Sequence, residues 1–192
     1  YLMAVEEALK KTEVAVKAAP TKTTGIDSLL TDKADTTAAA GTSPFLGKML
    51  APGQQGAPHV GTFATKDTAA INGYLKRADI KALLPANLAN IRFAWGKTNA
   101  KTPDVTDLYA LKGTRDNVAP LSGGVIVDAR DTFDQLGKPA VSMQMNGNGA
   151  RKWEQITGAV SQQGNAIAIV LDNIVYSAPG VSKGAITGGQ SE

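Results

Sequence analysis

Leu2, Val5, Leu9, Thr12 and Val16 recur at alternating spacings of three and four, giving one narrow stripe along the first stretch of the chain. That is the pattern of a helix with a single buried face. Glu6–Lys10, Glu7–Lys11 and Glu13–Lys17 stand four apart in the favourable Glu-before-Lys order, which supports a helix in water. Pro20 closes it, because a helix interior cannot accommodate proline. The spacing therefore predicts a lead-in helix over residues 1–20, resting one face on a neighbour. From 21 to 58 the pattern loosens. Residues 25–30 suit a short helical turn, 35–43 form a Thr/Ala/Gly run without period, and 50–58 are rich in Pro and Gly. This interval reads as a long irregular excursion.

Periodicity returns at Val60 and defines a head over residues 59–192. Residues 60–64 alternate as a short strand. Thr65 is placed to cap a helix running to about Arg77, with Ile71, Tyr74 and Leu75 inward and Asp67 in its first turn. Asp79 is placed to cap a second turn that stops at Pro85. Residues 91–95, 108–111 and 125–128 read as strands, and 140–145 alternate with Val141, Met143 and Met145 on one face. A polar turn, Asn146-Gly-Asn-Gly149, then opens a helix with Trp153, Ile156 or Thr157, and Val160 as its stripe; Gly164 follows its end. Two β-branched runs flank Asp172-Asn173 as a hairpin. The fold class that follows is α+β, a mainly antiparallel sheet with two or three helices packed on one side and a long irregular excursion.

Composition narrows the function classes. The chain of 192 residues has 43% hydrophobic and only 5% aromatic residues, so its core is aliphatic and modest. The absence of cysteine excludes disulfides and thiolate chemistry. Twenty Lys and Arg against 17 Asp and Glu give a net charge of +3. The basic residues are scattered, whereas a nucleic-acid footprint needs them clustered on one face, so no nucleic-acid partner is expected. The longest apolar run, residues 166–171, is far short of the roughly 20 residues of a membrane-spanning helix. The chain opens inside a helix without an initiator methionine and stops at Glu192, just after a Gly-Gly turn. It reads as an excised fragment.

No catalytic, cofactor or metal constellation is expected. Gly180-Val-Ser182-Lys-Gly184 matches the spacing of a nucleophile elbow, but such an elbow needs a strand directly before the serine and a helix directly after it. Pro179 precedes the pentapeptide and a strand-like Ala-Ile-Thr follows it. The only histidine, His59, lies far upstream, where a hydrolase needs one downstream. One histidine and no cysteine would leave a metal site nearly all carboxylate. Asp128, Asp131 and Asp134 are evenly spaced but do not match a calcium loop; a solvated acidic edge explains them. The glycines of Asn146-Gly-Asn-Gly149 fit neither phosphate-loop spacing and are read as a structural turn.

Residues 137–157, GKPAVSMQMNGNGARKWEQIT, 166–179, AIAIVLDNIVYSAP, and 185–189, AITGG, carry the most specific signal. Together they resemble a block of SecD and of SecD–SecF fusion proteins, the head part of the first large extracytoplasmic domain. Asn146, Gly149, Trp153, Leu171, Asp172, Ser177, Ala178, Pro179, Gly188 and Gly189 stand where that family places those residue types. So do Val141, Ala150, Thr157, Ile169 and Ile186. The stretches 111–139 and 66–75 resemble the fused form more loosely, and 1–58 carry little family signal beyond the helix. Gly180–Gly184 depart by being glycine-rich where relatives carry a more apolar residue.

The resemblance implies a non-enzymatic auxiliary of the Sec translocon, anchored in the inner membrane with this part in the periplasm. It would assist export driven by the proton-motive force by transiently holding an unfolded precursor. The implied partners are that precursor, SecF and the SecYEG channel, the latter two through the full-length protein. The motif residues are structural in that picture, and the excursion with the sheet beside it would supply the gripping surface. A solute- or peptide-binding scaffold of the cell envelope is the competing class.

Overall fold

The computed structural model describes residues 7–9, 44–54, 56–116, 118–134 and 136–192. Residues 7–9 are helical and Leu9 is buried, where the stripe places it. The rest of the lead-in helix and residues 21–43 of the excursion lie outside the described residues.

Among the described residues nine strands form in chain order: β1 (Met49–Pro52), β2 (His59–Ala64), β3 (Ile91–Gly96), β4 (Val105–Lys112), β5 (Ile126–Phe133), β6 (Pro139–Met145), β7 (Ile169–Leu171), β8 (Ile174–Ser177) and β9 (Gln190–Ser191). They divide between two sheets, six strands in the order β1-β2-β4-β3-β8-β7 and three in the order β5-β6-β9. All pairs are antiparallel except β3 with β8. The α+β class stands, with the three-stranded sheet as an addition to the single sheet expected.

Among the described residues three helices besides residues 7–9 accompany them: α1 (Thr68–Lys76), α2 (Ala78–Ala82) and α3 (Gly147–Gln163). Ile71 and Leu75 of α1 and Ile80 of α2 meet Leu9, Phe45, Phe63 and Leu108 in one buried cluster, with Tyr74, Phe93 and Trp95 packed against it. Phe63 sits between Phe45 and Trp95, each ring centroid 5.8 Å away. The Trp95 indole N–H donates to Asn72 Oδ1 at 3.0 Å, fixing α1 to β3. Among the described residues no helix is long and apolar enough to cross a membrane.

Several local expectations are corrected. Residues 50–58 were expected to be loop throughout, yet Met49–Pro52 is a strand, because it pairs with β2 and tertiary hydrogen bonding outweighs a loop-like composition. Thr65 does not cap α1 with its side chain. Its hydroxyl donates to the Pro103 carbonyl at 2.9 Å, and a tight 3-10 turn, Thr65–Asp67, leads into the helix. Asp79 lies in the first turn of α2 instead of capping it, and its carboxylate takes two hydrogen bonds from the Arg77 guanidinium. That guanidinium holds the Asp79 carboxyl below its ordinary range. The strand expected at 125–128 runs on to Phe133.

Candidate functional site

The distinctive residues of the C-terminal third are assembled around α3. Asn146 terminates β6 and caps the helix: its backbone is extended, and its Oδ1 accepts the Gly149 N–H at 2.9 Å. The Asn146 N–H in turn donates to the Val125 carbonyl at 2.9 Å, tying the helix start to the entrance of β5. Gly149 is needed because a β-carbon there would lie 2.7 Å from Val125 Cβ. Gly164, in the left-handed conformation, ends the helix as its position predicts. Of the alternatives for the inner stripe, Thr157 is the buried one, with Trp153 and Gly149. The buried indole N–H of Trp153 finds no partner among the described residues, so that ring acts through packing.

The stretch after Pro179 returns along α3 and is fastened to it by helix hydroxyls. Thr157 Oγ1 donates to the Trp153 carbonyl at 2.7 Å and accepts the Ile186 N–H at 2.8 Å. Ser161 Oγ accepts the Gly184 N–H at 3.1 Å. Gly189, in the left-handed region at φ +71°, then lies against Ala150, and its carbonyl accepts the Met145 N–H at 2.8 Å before β9 pairs with β6. A loop with little regular structure is thus strapped to α3 at three points and to the end of β6 at a fourth. Thr157→Val keeps the volume but leaves the half-buried Ile186 N–H without its acceptor. It is expected to lower stability by about 1–3 kcal/mol, read as a shifted urea midpoint at constant slope.

The ten family-motif residues fall into two groups. Asn146, Gly149, Trp153, Gly188 and Gly189 converge on α3 and its N-terminal end. Leu171, Asp172, Ser177, Ala178 and Pro179 belong to the β7–β8 hairpin and its exit. There Asp172 and Asn173 both have positive φ, 50° and 64°, and join paired Leu171 and Ile174. This is the two-residue turn that matches strand twist.

Ser182 does not sit on an elbow. Before it Gly180 makes only an isolated bridge to Ala166, and after it residues 185–187 are irregular. A fluorophosphonate probe is accordingly expected to leave Ser182 unlabelled when checked by intact-mass measurement. His59 begins β2 with its ring edge-on to Tyr109 at 6.1 Å. Burial pushes the Tyr109 hydroxyl above its ordinary pKa, with Asp107 adding to the effect. Asp128 and Asp131 point to opposite faces of β5. Asp128 is paired with Arg130 at 2.7 Å, while Asp134 accepts the Leu136 and Lys138 N–H groups and closes the β5–β6 turn. Among the described residues no three His, Asp or Glu side chains converge as a metal site.

The exposed surface holds what the sequence reading missed. Phe133 is 70% exposed, Leu136 79% and Val141 55%, all at the distal end of the β5–β6 hairpin. A shallow groove of about 570 Å³ runs along the outer face of α3 between Arg151, Glu154, Gly158 and Ala185. Its small-residue floor and mixed-charge rim hold no nucleophile with a base.

Residues 107–192 match the model of the SecDF P1 head subdomain. The protein translocase subunit SecD of Rhodothermus marinus is 44% identical over 128 residues, 64% of this chain and 19% of that protein. Protein translocase subunit SecDF of Thermus thermophilus is 48% identical over 71 residues, 37% of this chain and 9% of that protein. A crystal structure of SecDF in the super-membrane-facing form is 30% identical, covers 65% of this chain and 18% of that one, and superposes with a TM-score of 0.37. The chain spans less than a fifth of the length of these curated relatives. The strapped α3 lies inside the matched residues, so the part of the chain from 107 to 192 is similar to the P1 head subdomain of SecD and SecDF proteins.

Proposed function

We propose that this chain is the extracytoplasmic head of a membrane-anchored Sec auxiliary. It transiently holds a precursor as it emerges and limits its backsliding while the proton-motive force drives export. The observation that carries this reading is the family match over residues 107–192, joined to a surface suited to sequence-tolerant contact. Phe133, Leu136 and Val141 offer water-exposed apolar area beside a sheet, which grips many chains without reading any one sequence. In this reading the head is residues 59–192, preceded by the lead-in helix of 1–20 and the excursion of 21–58. It faces the periplasm, with SecF and the SecYEG channel as partners through the full-length protein in the inner membrane. The ten motif residues keep the head in shape, and the chain performs no covalent step.

Site-specific photo-crosslinking in the full-length protein during export of a stalled precursor tests this. Probes at Val141 on β6 and at Leu50 on β1 are compared with one at Lys76 at the end of α1. Capture at Val141 or Leu50 well above that at Lys76 is expected. Equal capture at all three positions, or none, would overturn the reading.

A further inference from the structure

β5 is an edge of the three-stranded sheet, eight residues long and exposed over most of its length. Its pairing with β6 determines which backbone groups are used inward. Pro139, which has no N–H, stands opposite Phe133, and the Asp134 N–H donates to the Lys138 carbonyl at 2.8 Å. Antiparallel ladders alternate bonded and non-bonded pairs. Thr132, Arg130 and Asp128 therefore bond to β6, while Ala129, Asp131 and Phe133 turn their N–H and C=O groups outward. Among the described residues no strand or loop takes up those groups. An open row of this kind is a template for another extended backbone.

The surroundings of the row specify what would pair with it. The side chains of Ala129, Asp131 and Phe133 share a face with Val141 and Met143, and Phe133 and Val141 are well exposed. Asp128 is neutralised by Arg130, whereas Asp131 makes no ion pair among the described residues. A second copy of β5 pairing antiparallel about Asp131, the centre of the outward row Ala129, Asp131 and Phe133, would set two Asp131 carboxylates opposite each other, which is unfavourable. A segment with alternating apolar side chains and a Lys or Arg opposite Asp131 meets both the apolar face and the charge.

We propose that β5 accepts an extended polypeptide segment of that composition as a fourth strand of the β5-β6-β9 sheet, through the outward backbone groups of Ala129, Asp131 and Phe133. The identity of that segment as precursor rests on the holding function proposed above. Main-chain bonds supply affinity without sequence demand, and alternate side chains supply a mild preference.

The test uses a short fluorescein-labelled peptide alternating valine with threonine and lysine, and the same peptide N-methylated at alternate residues. Binding to the 192-residue chain is read by fluorescence anisotropy. N-methylation is expected to weaken binding by about tenfold, the loss of one to two hydrogen bonds. Ala129→Pro removes one outward N–H at an edge position that tolerates proline and is expected to weaken the unmethylated peptide similarly. Circular dichroism checks its fold, and if it fails to fold, the two peptides on the unaltered chain decide alone. Equal binding of both peptides would overturn the edge inference and leave the holding function standing. No binding of either peptide would count against both. Sedimentation showing a dimer of the unaltered chain that Ala129→Pro abolishes would assign the edge to a second copy and likewise overturn the inference.

Discussion

Phe63→Ala is expected to destabilise the protein by about 3–5 kcal/mol, the usual cost of removing a buried phenylalanine. Phe63 is fully buried and contacts Phe45 on one side and Trp95 on the other. The same cluster contains Leu9, Ile71, Leu75, Ile80 and Leu108, so the void would open where the lead-in helix, α1, α2 and the six-stranded sheet meet. Aromatic residues are only 5% of the chain, and few neighbours have the bulk to fill the space. For a domain of this size the melting temperature should fall by on the order of 10 °C. Phe63→Leu, which keeps most of the volume, should recover a large part of the loss. A Phe63→Ala melt within about 1 °C of the unaltered protein would mean that this cluster does not carry the fold.

Gly189→Ala is expected to cost about 2–5 kcal/mol, from two separable causes. Its φ of +71° is unfavourable for alanine by about 1–2 kcal/mol. The added β-carbon would also lie 2.7 Å from Ala150 Cβ and 3.3 Å from its Cα, an overpacking that costs about 1–3 kcal/mol. Gly188 provides the control. It has a similar φ of +78° but open space around it, so Gly188→Ala should show only the backbone part. The difference between the two urea midpoints measures how closely the loop lies on α3. Ala150→Gly combined with Gly189→Ala should restore part of that difference, a coupling expected only of residues in contact.

The elements that sequence patterning revealed were those with one wet and one dry face. The burial of Leu9 and the alternation of 60–64 follow a period that burial imposes, and the Asp-Asn turn of β7–β8 stands between two such runs. The Asn146 cap and the Gly164 stop were legible because each meets a stereochemical demand that few residues satisfy. β5 beyond Asp128 was not legible. Asp128, Arg130 and Thr132 on one face and Ala129, Asp131 and Phe133 on the other give little contrast, since that strand is exposed on both. Its charges look like a solvated acidic edge for the same reason. β1 was hidden because its pairing with β2 is a tertiary fact absent from its own residues.

The candidate site divides along the same line. The C-terminal motif residues are recognisable because they meet strict local demands: a cap, a close approach, a positive φ. Those demands concern the strap on α3 and the β7–β8 hairpin. The outward groups of β5 meet no such demand, since any residue but proline can supply an N–H and a C=O. A surface that pairs through backbone leaves almost no sequence signature.

Amide hydrogen exchange on the chain with and without the valine-threonine-lysine peptide is the most direct test of this division between scaffold and working edge. The amides of Gly184 and Ile186, bonded to Ser161 and Thr157, should exchange slowly in both states. Those of Ala129, Asp131 and Phe133 should exchange fast alone and become protected when the peptide binds, while the inward amides between them change little. Peptide-induced protection confined to residues 184–189 or to the groove along α3, with β5 unchanged, would contradict it.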